Sequence, residues 1–131
     1  MATKPNELVS PVVPPLQQRE AMEALPDALA CIVGNEILRA TYGHGCHLHP
    51  ELCYIPVRVG TSWLARFIHD SLHQRIVVPG ESDFILVVRD GELEIEFCHE
   101  GHIHVSGTNH DLIAKLLAIP VFNVAGSGAK S

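Results

Sequence analysis

The stretch DFILVVRDGELEIEFCHEGHIHVS, residues 83–106, decides the fold of this chain. Its apolar side chains recur at every second position, which predicts three strands joined by two tight turns. The dipeptide Asp90-Gly91 favours a two-residue type I′ turn, because both central positions of that turn need positive φ. This turn pairs Val88 with Leu93. The buried face that follows comprises Phe84, Leu86, Val88, Leu93, Ile95, Phe97, Ile103 and Val105.

The second turn sets the register of the third strand. A two-residue loop would turn Ile103 outward, whereas a three-residue loop over residues 99–101, with a left-handed Gly101, keeps it on the buried face. We therefore expect Glu96 to lie opposite His104. The polar side chains that this register gathers on the outer face are Glu92, Glu94, Glu96, Cys98, His102 and His104.

The remaining elements follow from periodicity, proline positions and capping residues. Before the meander, the pattern predicts a helix from Pro14-Pro15 to Val33, kinked at Pro26 and ended by Gly34, then a short helix over residues 35–42 with Ile37 and Leu38 inward, and then an edge strand over residues 52–59, because Pro56 cannot donate to a ladder. A helix capped by Thr61 or Ser62 and running to Gln74 follows, with a buried stripe of Trp63, Leu64, Phe67, Ile68 and Leu72, and after it a short strand over residues 76–78. After the meander, the pattern predicts a last helix, capped by Thr108 and ended by Pro120.

The predicted fold class is α+β, an antiparallel β-meander of about four to five strands with helices packed on one face. Residues 1–13 lack periodicity and are expected to form a flexible N-terminal arm. Residues 14–122 are expected to form a single domain, and residues 123–131 a flexible C-terminal tail.

The charge, the apolar runs and the cysteines of the sequence exclude several classes of function. The 131 residues carry a net charge of −6, which disfavours direct binding to nucleic acid because phosphates require a basic surface. No apolar run is long enough to span a membrane, and no secretory signal precedes the domain, so we expect a cytoplasmic protein without a membrane partner. The four cysteines lack CxxC spacing, which favours reduced thiols.

Two histidine- and cysteine-rich segments suggest a zinc site as an alternative. Cys98, His102, His104 and Glu96 supply the ligand types that zinc prefers, and the predicted register brings them to one face. A second set lies in the loop of His44, Cys46, His47, His49 and Cys53. Neither segment has a known zinc spacing, and an ordinary cross-strand charge pair between Glu96 and His104 is the favoured explanation of the first one. The expectation is that the protein carries no cofactor, with zinc as the alternative.

The chain shows no convincing catalytic apparatus. His69 and His73 have the helical spacing of an HExxH pair but lack its glutamate, and they fall on the polar face of the helix. The neighbours Cys46-His47 and Cys98-His99 would point to opposite faces of a strand. No catalytic residues are assigned.

An acidic interaction surface is the last candidate. Only Arg89 balances a run of carboxylates, which would steer a basic protein partner and accept hydrogen bonds from it. The assigned partner-binding residues are Asp83, Asp90, Glu92, Glu94, Glu96 and Glu100, with His102 and His104. The alternatives are that the acids only keep the sheet soluble, or that Ile85 and Val87 on the same face form a homo-oligomer contact.

In its overall character the chain resembles the small bacterial immunity proteins of toxin and immunity pairs. The resemblance covers residues 60–118 and rests on the compact acidic α+β domain and on the meander ESDFILVVRDGELEIEFCHEGHIHVSG leading into a helix. It implies tight binding to a cognate basic toxin, often a nuclease, whose cleft the acidic face and the Glu100 turn would fill. No residue role is transferred by position.

Overall fold

The computed structural model describes residues 7–123, and within that range it is an α+β fold. Six antiparallel strands form one sheet, and three α-helices pack on one of its faces. None of the helices in this range is long and apolar enough to cross a membrane. The strands are β1 (Leu8–Val9), β2 (Ile37–Tyr42), β3 (Val57–Gly60), β4 (Phe84–Val88), β5 (Leu93–Phe97) and β6 (Ile103–Ser106). The helices are α1 (Pro15–Val33), α2 (Thr61–His73) and α3 (His110–Leu117), with short 3₁₀ turns at Pro50–Leu52, Arg89–Gly91 and Pro120–Phe122.

The strand order is β1-β6-β5-β4-β2-β3, so the predicted three-stranded meander forms the centre of the sheet. Its register is confirmed at both turns, with Val88 opposite Leu93 and Glu96 opposite His104. Asp90 and Gly91 have φ of 54° and 103°, but Arg89 is left-handed as well (φ 49°) and pairing stops at Val88 and Leu93, so the loop spans the four residues 89–92 and not the expected two. All eight residues of the predicted buried face are at most 1% exposed.

Helix α1 follows the prediction closely. It begins at Pro15, runs through Pro26 and ends before Gly34, whose φ of 74° suits a residue without a side chain. Its buried residues pack with α2, α3 and the inner face of the sheet into one apolar core. Burial of this face is what holds the helical layer on the sheet.

The predicted short helix over residues 35–42 is wrong. Residues 37–42 form β2, which lies between β3 and β4 in the sheet. Leu38 points inward and is fully buried, but Ile37 is 56% exposed because adjacent side chains of a strand point to opposite faces. Within the described residues the sheet has six strands, one or two more than expected.

Several boundaries also differ. Neither Thr61 nor Ser62 caps α2, because Thr61 is its first residue and its hydroxyl donates to the Gly34 carbonyl oxygen (2.9 Å). Asn109, not Thr108, caps α3 and accepts hydrogen bonds from the backbone N–H groups of Asp111 and Leu112. Residues 76–78 form no strand, and the edge strand starts at Val57 after Pro56. Trp63 is 66% exposed, so it does not belong to the buried stripe of α2.

The expected N-terminal arm is wrong over its second half. Leu8 and Val9 pair with β6. The N–H of Ser10 donates to the Ile103 carbonyl oxygen (2.9 Å), and the N–H of Ile103 donates to the Ser10 hydroxyl oxygen (2.8 Å). The N–H of Val13 donates to the Gly101 carbonyl oxygen (2.8 Å). Residues 1–6 of the expected arm and residues 124–131 of the expected tail lie outside the described residues.

Candidate interaction surface

The outer face of the sheet is the candidate site, and two rows of side chains cross its centre. One row contains Thr41, Ile85, Glu96, His104 and Val9, which lie opposite one another on successive strands. The next row contains Arg39, Val87, Glu94 and Ser106. Two apolar side chains therefore lie directly beside two glutamates at the middle of the sheet.

The central carboxylates come together as the sequence predicted. Glu94 and Glu96 are two residues apart on β5, so both project from the same face, and both are partly exposed. His104 lies opposite Glu96, and its Nδ1 is 3.3 Å from Oε2 of Glu7. Glu7 adds a carboxylate to this group that the sequence did not assign.

Asp90 and Glu92 lie apart from this group, at the turn between β4 and β5. Arg39 forms an ion pair with Asp90, and Asn109 donates a hydrogen bond to Glu92 (2.9 Å). Arg89 does not neutralise the central acids, because its guanidinium binds Glu36 at 2.6 and 2.8 Å, which raises the pKa of Arg89. These contacts fix the turn, which lies apart from Glu94 and Glu96.

The remaining assigned residues lie towards the other end of the sheet. Glu100 is exposed in the turn between β5 and β6, but Asp83 is buried and binds His99. The ring of His44 packs against that of His99 with centroids 4.3 Å apart. Nδ1 of His102 contacts the carbonyl oxygen of Ser10 (2.8 Å), so this ring anchors the N-terminal segment.

The predicted zinc ligands do not converge. Within residues 7–123 no three histidine, cysteine or acidic side chains are grouped so that they could hold a metal ion. Cys98 is buried, and its Sγ accepts a hydrogen bond from the backbone N–H of His102 (3.3 Å). The rings of His102 and His104 meet edge to face at 6.2 Å and engage different partners through Nδ1. Local hydrogen bonds therefore account for these side chains.

Cys46 is not an activated nucleophile. The thiol of Cys46 donates to the Asp83 carbonyl oxygen (3.2 Å), and burial raises its pKa to about 11. A thiol of this kind is protonated at neutral pH and is a poor nucleophile. His69 and His73 stack at 5.7 Å on the solvent side of α2, as their positions on its polar face predicted.

Sequence reasoning missed Arg39 and Arg58, which project from the same outer face and lie opposite each other on β2 and β3. Arg39 was missed because residues 35–42 were assigned to a helix, whereas Arg58 lies within the predicted edge strand and was not considered as a site residue. The alternation of Leu38, Arg39, Ala40, Thr41 and Tyr42, with two β-favouring residues at its end, is the signal that indicates a strand. The outer face is therefore acidic on β5 and basic on β2 and β3.

No protein-family model, curated protein or solved structure matches the chain.

Proposed function

We propose that this protein is a non-enzymatic binding protein of the immunity type, which acts in the cytoplasm and neutralises a basic protein toxin through the outer face of its sheet. The observation that carries the proposal is the central arrangement of Ile85 and Val87 beside Glu96 and Glu94. The helices in the described range pack on the inner face, so these side chains are not part of the apolar core.

The arrangement suits a protein partner for two reasons. Partly exposed Ile85 and Val87 supply apolar contact area, which contributes most to affinity when it is buried at the centre of an interface. Glu94 and Glu96 supply charge, which governs the association rate and the choice of partner more than the affinity. A basic partner with a small apolar patch fits both features.

The test compares three versions of the immobilised full-length protein exposed to a lysate of the source cells. The double variant Glu94→Lys/Glu96→Lys reverses the central charges. The control Glu20→Lys/Glu23→Lys makes the same change in net charge on exposed positions of α1, a helix that packs against the other face of the sheet.

The wild type and the control should retain the same basic protein at equal stoichiometry, measured by native mass spectrometry. The Glu94→Lys/Glu96→Lys variant should bind it at least tenfold more weakly. For the wild type, association should slow as ionic strength rises, because salt screens the attraction. Equal retention by all three versions would reject the outer face as the interface.

A further inference from the structure

The free edge of β3 carries a second feature that the proposed function does not use. Of the large apolar side chains in the described residues, Trp63, Tyr54, Ile37 and Leu52 are all more than half exposed and lie on or near β2, β3 and the start of α2. Within residues 7–123, β3 is the last strand of the sheet and pairs only with β2. An edge strand of this kind can accept a further strand.

The hydrogen-bond pattern shows which backbone groups of β3 face away from the sheet. The N–H of Gly43 donates to Asp83 at one end of β2, and the N–H of Thr61 donates to the Glu36 carbonyl oxygen at the other. Because bonded and non-bonded pairs alternate along antiparallel strands, Val57 and Val59 bond to β2. The N–H and C=O of Arg58 therefore point to the free edge.

A groove of about 350 Å³ runs beside this edge, between β3 and α2. Val57 and Val59 line it from the strand, and Trp63 and Phe67 line it from the helix, together with Arg66 and Asp70, whose charges pair with each other (3.6 Å). A strand added at Arg58 would send the two side chains flanking its paired residue into this groove, and these should be apolar. The paired residue itself would point to the outer face, beside the Arg58 side chain.

The charge of Arg58 defines which residue of the ligand should stand between its two apolar residues. Arg58 is exposed and forms no ion pair within residues 7–123, whereas its cross-strand neighbour Arg39 is paired with Asp90. An acidic residue opposite Arg58 would form a cross-strand ion pair. A second copy paired symmetrically about Arg58 fits poorly, since that register sets Arg58 opposite its own counterpart, and like charges repel there.

We propose that the free edge of β3 and the adjoining groove bind an extended segment of a partner protein in which an acidic residue stands between two apolar residues. The segment adds a strand to the sheet through Arg58, places its apolar side chains against Trp63 and Phe67, and pairs its carboxylate with Arg58. This surface has the opposite charge preference to the acidic pair on β5, and the two bind independently.

The probe is a phage-displayed library of random nine-residue peptides, panned on the full-length protein, with selected peptides resynthesised and measured by fluorescence anisotropy. The apolar–acidic–apolar pattern should be enriched. Trp63→Ala should weaken binding at least tenfold without loss of fold, because Trp63 is mostly exposed. The variant Glu94→Lys/Glu96→Lys should bind these peptides as the wild type does, which separates this proposal from the proposed function.

Two matched pairs test the geometry. Arg58→Pro removes the outward N–H as well as the charge, so it should weaken binding more than Arg58→Ala does. N-methylation of the peptide at its acidic residue removes the reciprocal bond to Arg58 and should abolish binding, whereas N-methylation at the residue before it should not; this pair needs no protein variant to fold.

The proposal is overturned if panning selects no peptide, if the selected peptides lack the pattern, or if they bind Trp63→Ala as tightly as the wild type. A dimer in sedimentation that the Trp63→Ala variant cannot form would assign the edge to a second copy and overturn it as well.

Discussion

Oδ1 of Asp83 lies 2.7 Å from the backbone N of His99 and 2.8 Å from Nδ1 of its ring. Asp83 precedes β4 and His99 follows β5, so the two residues lie at the same end of this antiparallel pair of strands. The contact therefore closes the end of the central hairpin opposite the Asp90-Gly91 turn. It also holds the ring of His99 against that of His44.

This contact predicts a pH dependence of stability. The hydrogen bond to Asp83 raises the pKa of His99 above its usual value of about 6.5. Because the folded state favours the protonated ring, its stabilisation is complete below about pH 6.5 and is lost as pH rises through the raised folded pKa. The free energy of unfolding of the wild type should exceed that of His99→Gln most at pH 5.5, and the difference should shrink above pH 7.

Urea denaturation across pH 5.5–9 measures this difference, and Asp83→Asn provides the control, since the His99 substitution should show little pH dependence in that background. An NMR titration of the His99 ring gives an independent check. A pKa at or below about 6.5 would contradict the role of Asp83.

The reactivity of Cys46 is a second prediction. Burial raises its pKa to about 11, so at pH 8 only about one molecule in a thousand carries the thiolate that reacts. Iodoacetamide should therefore modify the exposed Cys31 well before Cys46, as followed by peptide mass spectrometry. In urea both cysteines should react, which controls for intrinsic differences. Equal rates in the folded protein would show that Cys46 is accessible and ionised.

Gly107 and Gly91 lie near the same end of the central hairpin, the end with the Asp90-Gly91 turn. Substitution by alanine should lower the stability of the fold by different amounts at the two positions. A Cβ at Gly107, where φ is 146°, would lie 2.2 Å from the Glu92 carbonyl oxygen, so Gly107→Ala should destabilise the fold by about 2–4 kcal/mol. A Cβ at Gly91 meets nothing within 4 Å, so Gly91→Ala should cost only the left-handed backbone, about 1 kcal/mol. Urea midpoints compare the two, and equal costs would contradict the close approach of Gly107 to β5.

The central meander could be predicted because its register depends on local signals. The Asp90-Gly91 turn and the left-handed Gly101 fix the two turns, and alternation then assigns every side chain to a face. The cluster of Glu94, Glu96 and His104 follows from that register alone. This part of the candidate site was therefore accessible from the sequence.

The parts of the fold and of the candidate site that the sequence did not predict depend on pairing between distant segments. β1 has only Leu8 and Val9, too short for periodicity to reveal, and it forms because β6 offers a free edge. Arg58 lies 26 residues before Phe84, the first residue of β4, and Arg39 lies further still. Both arginines reach the outer face only because their strands pair with distant segments. The contact between Asp83 and His99 depends on where two loops end, which no local pattern encodes.

The central claim, that the outer face binds a basic partner, is tested most directly by methyl NMR on the complex with the protein that the wild type retains. The methyl groups of Ile85 and Val87 on the outer face should shift and receive cross-saturation from the partner. Those of Leu86 and Val88, on the same strand but in the core, serve as the internal control and should not. Cross-saturation confined to Val57 and Val59, which line the groove beside β3, with Ile85 and Val87 unchanged, would contradict the claim and move the interface to the edge of the sheet.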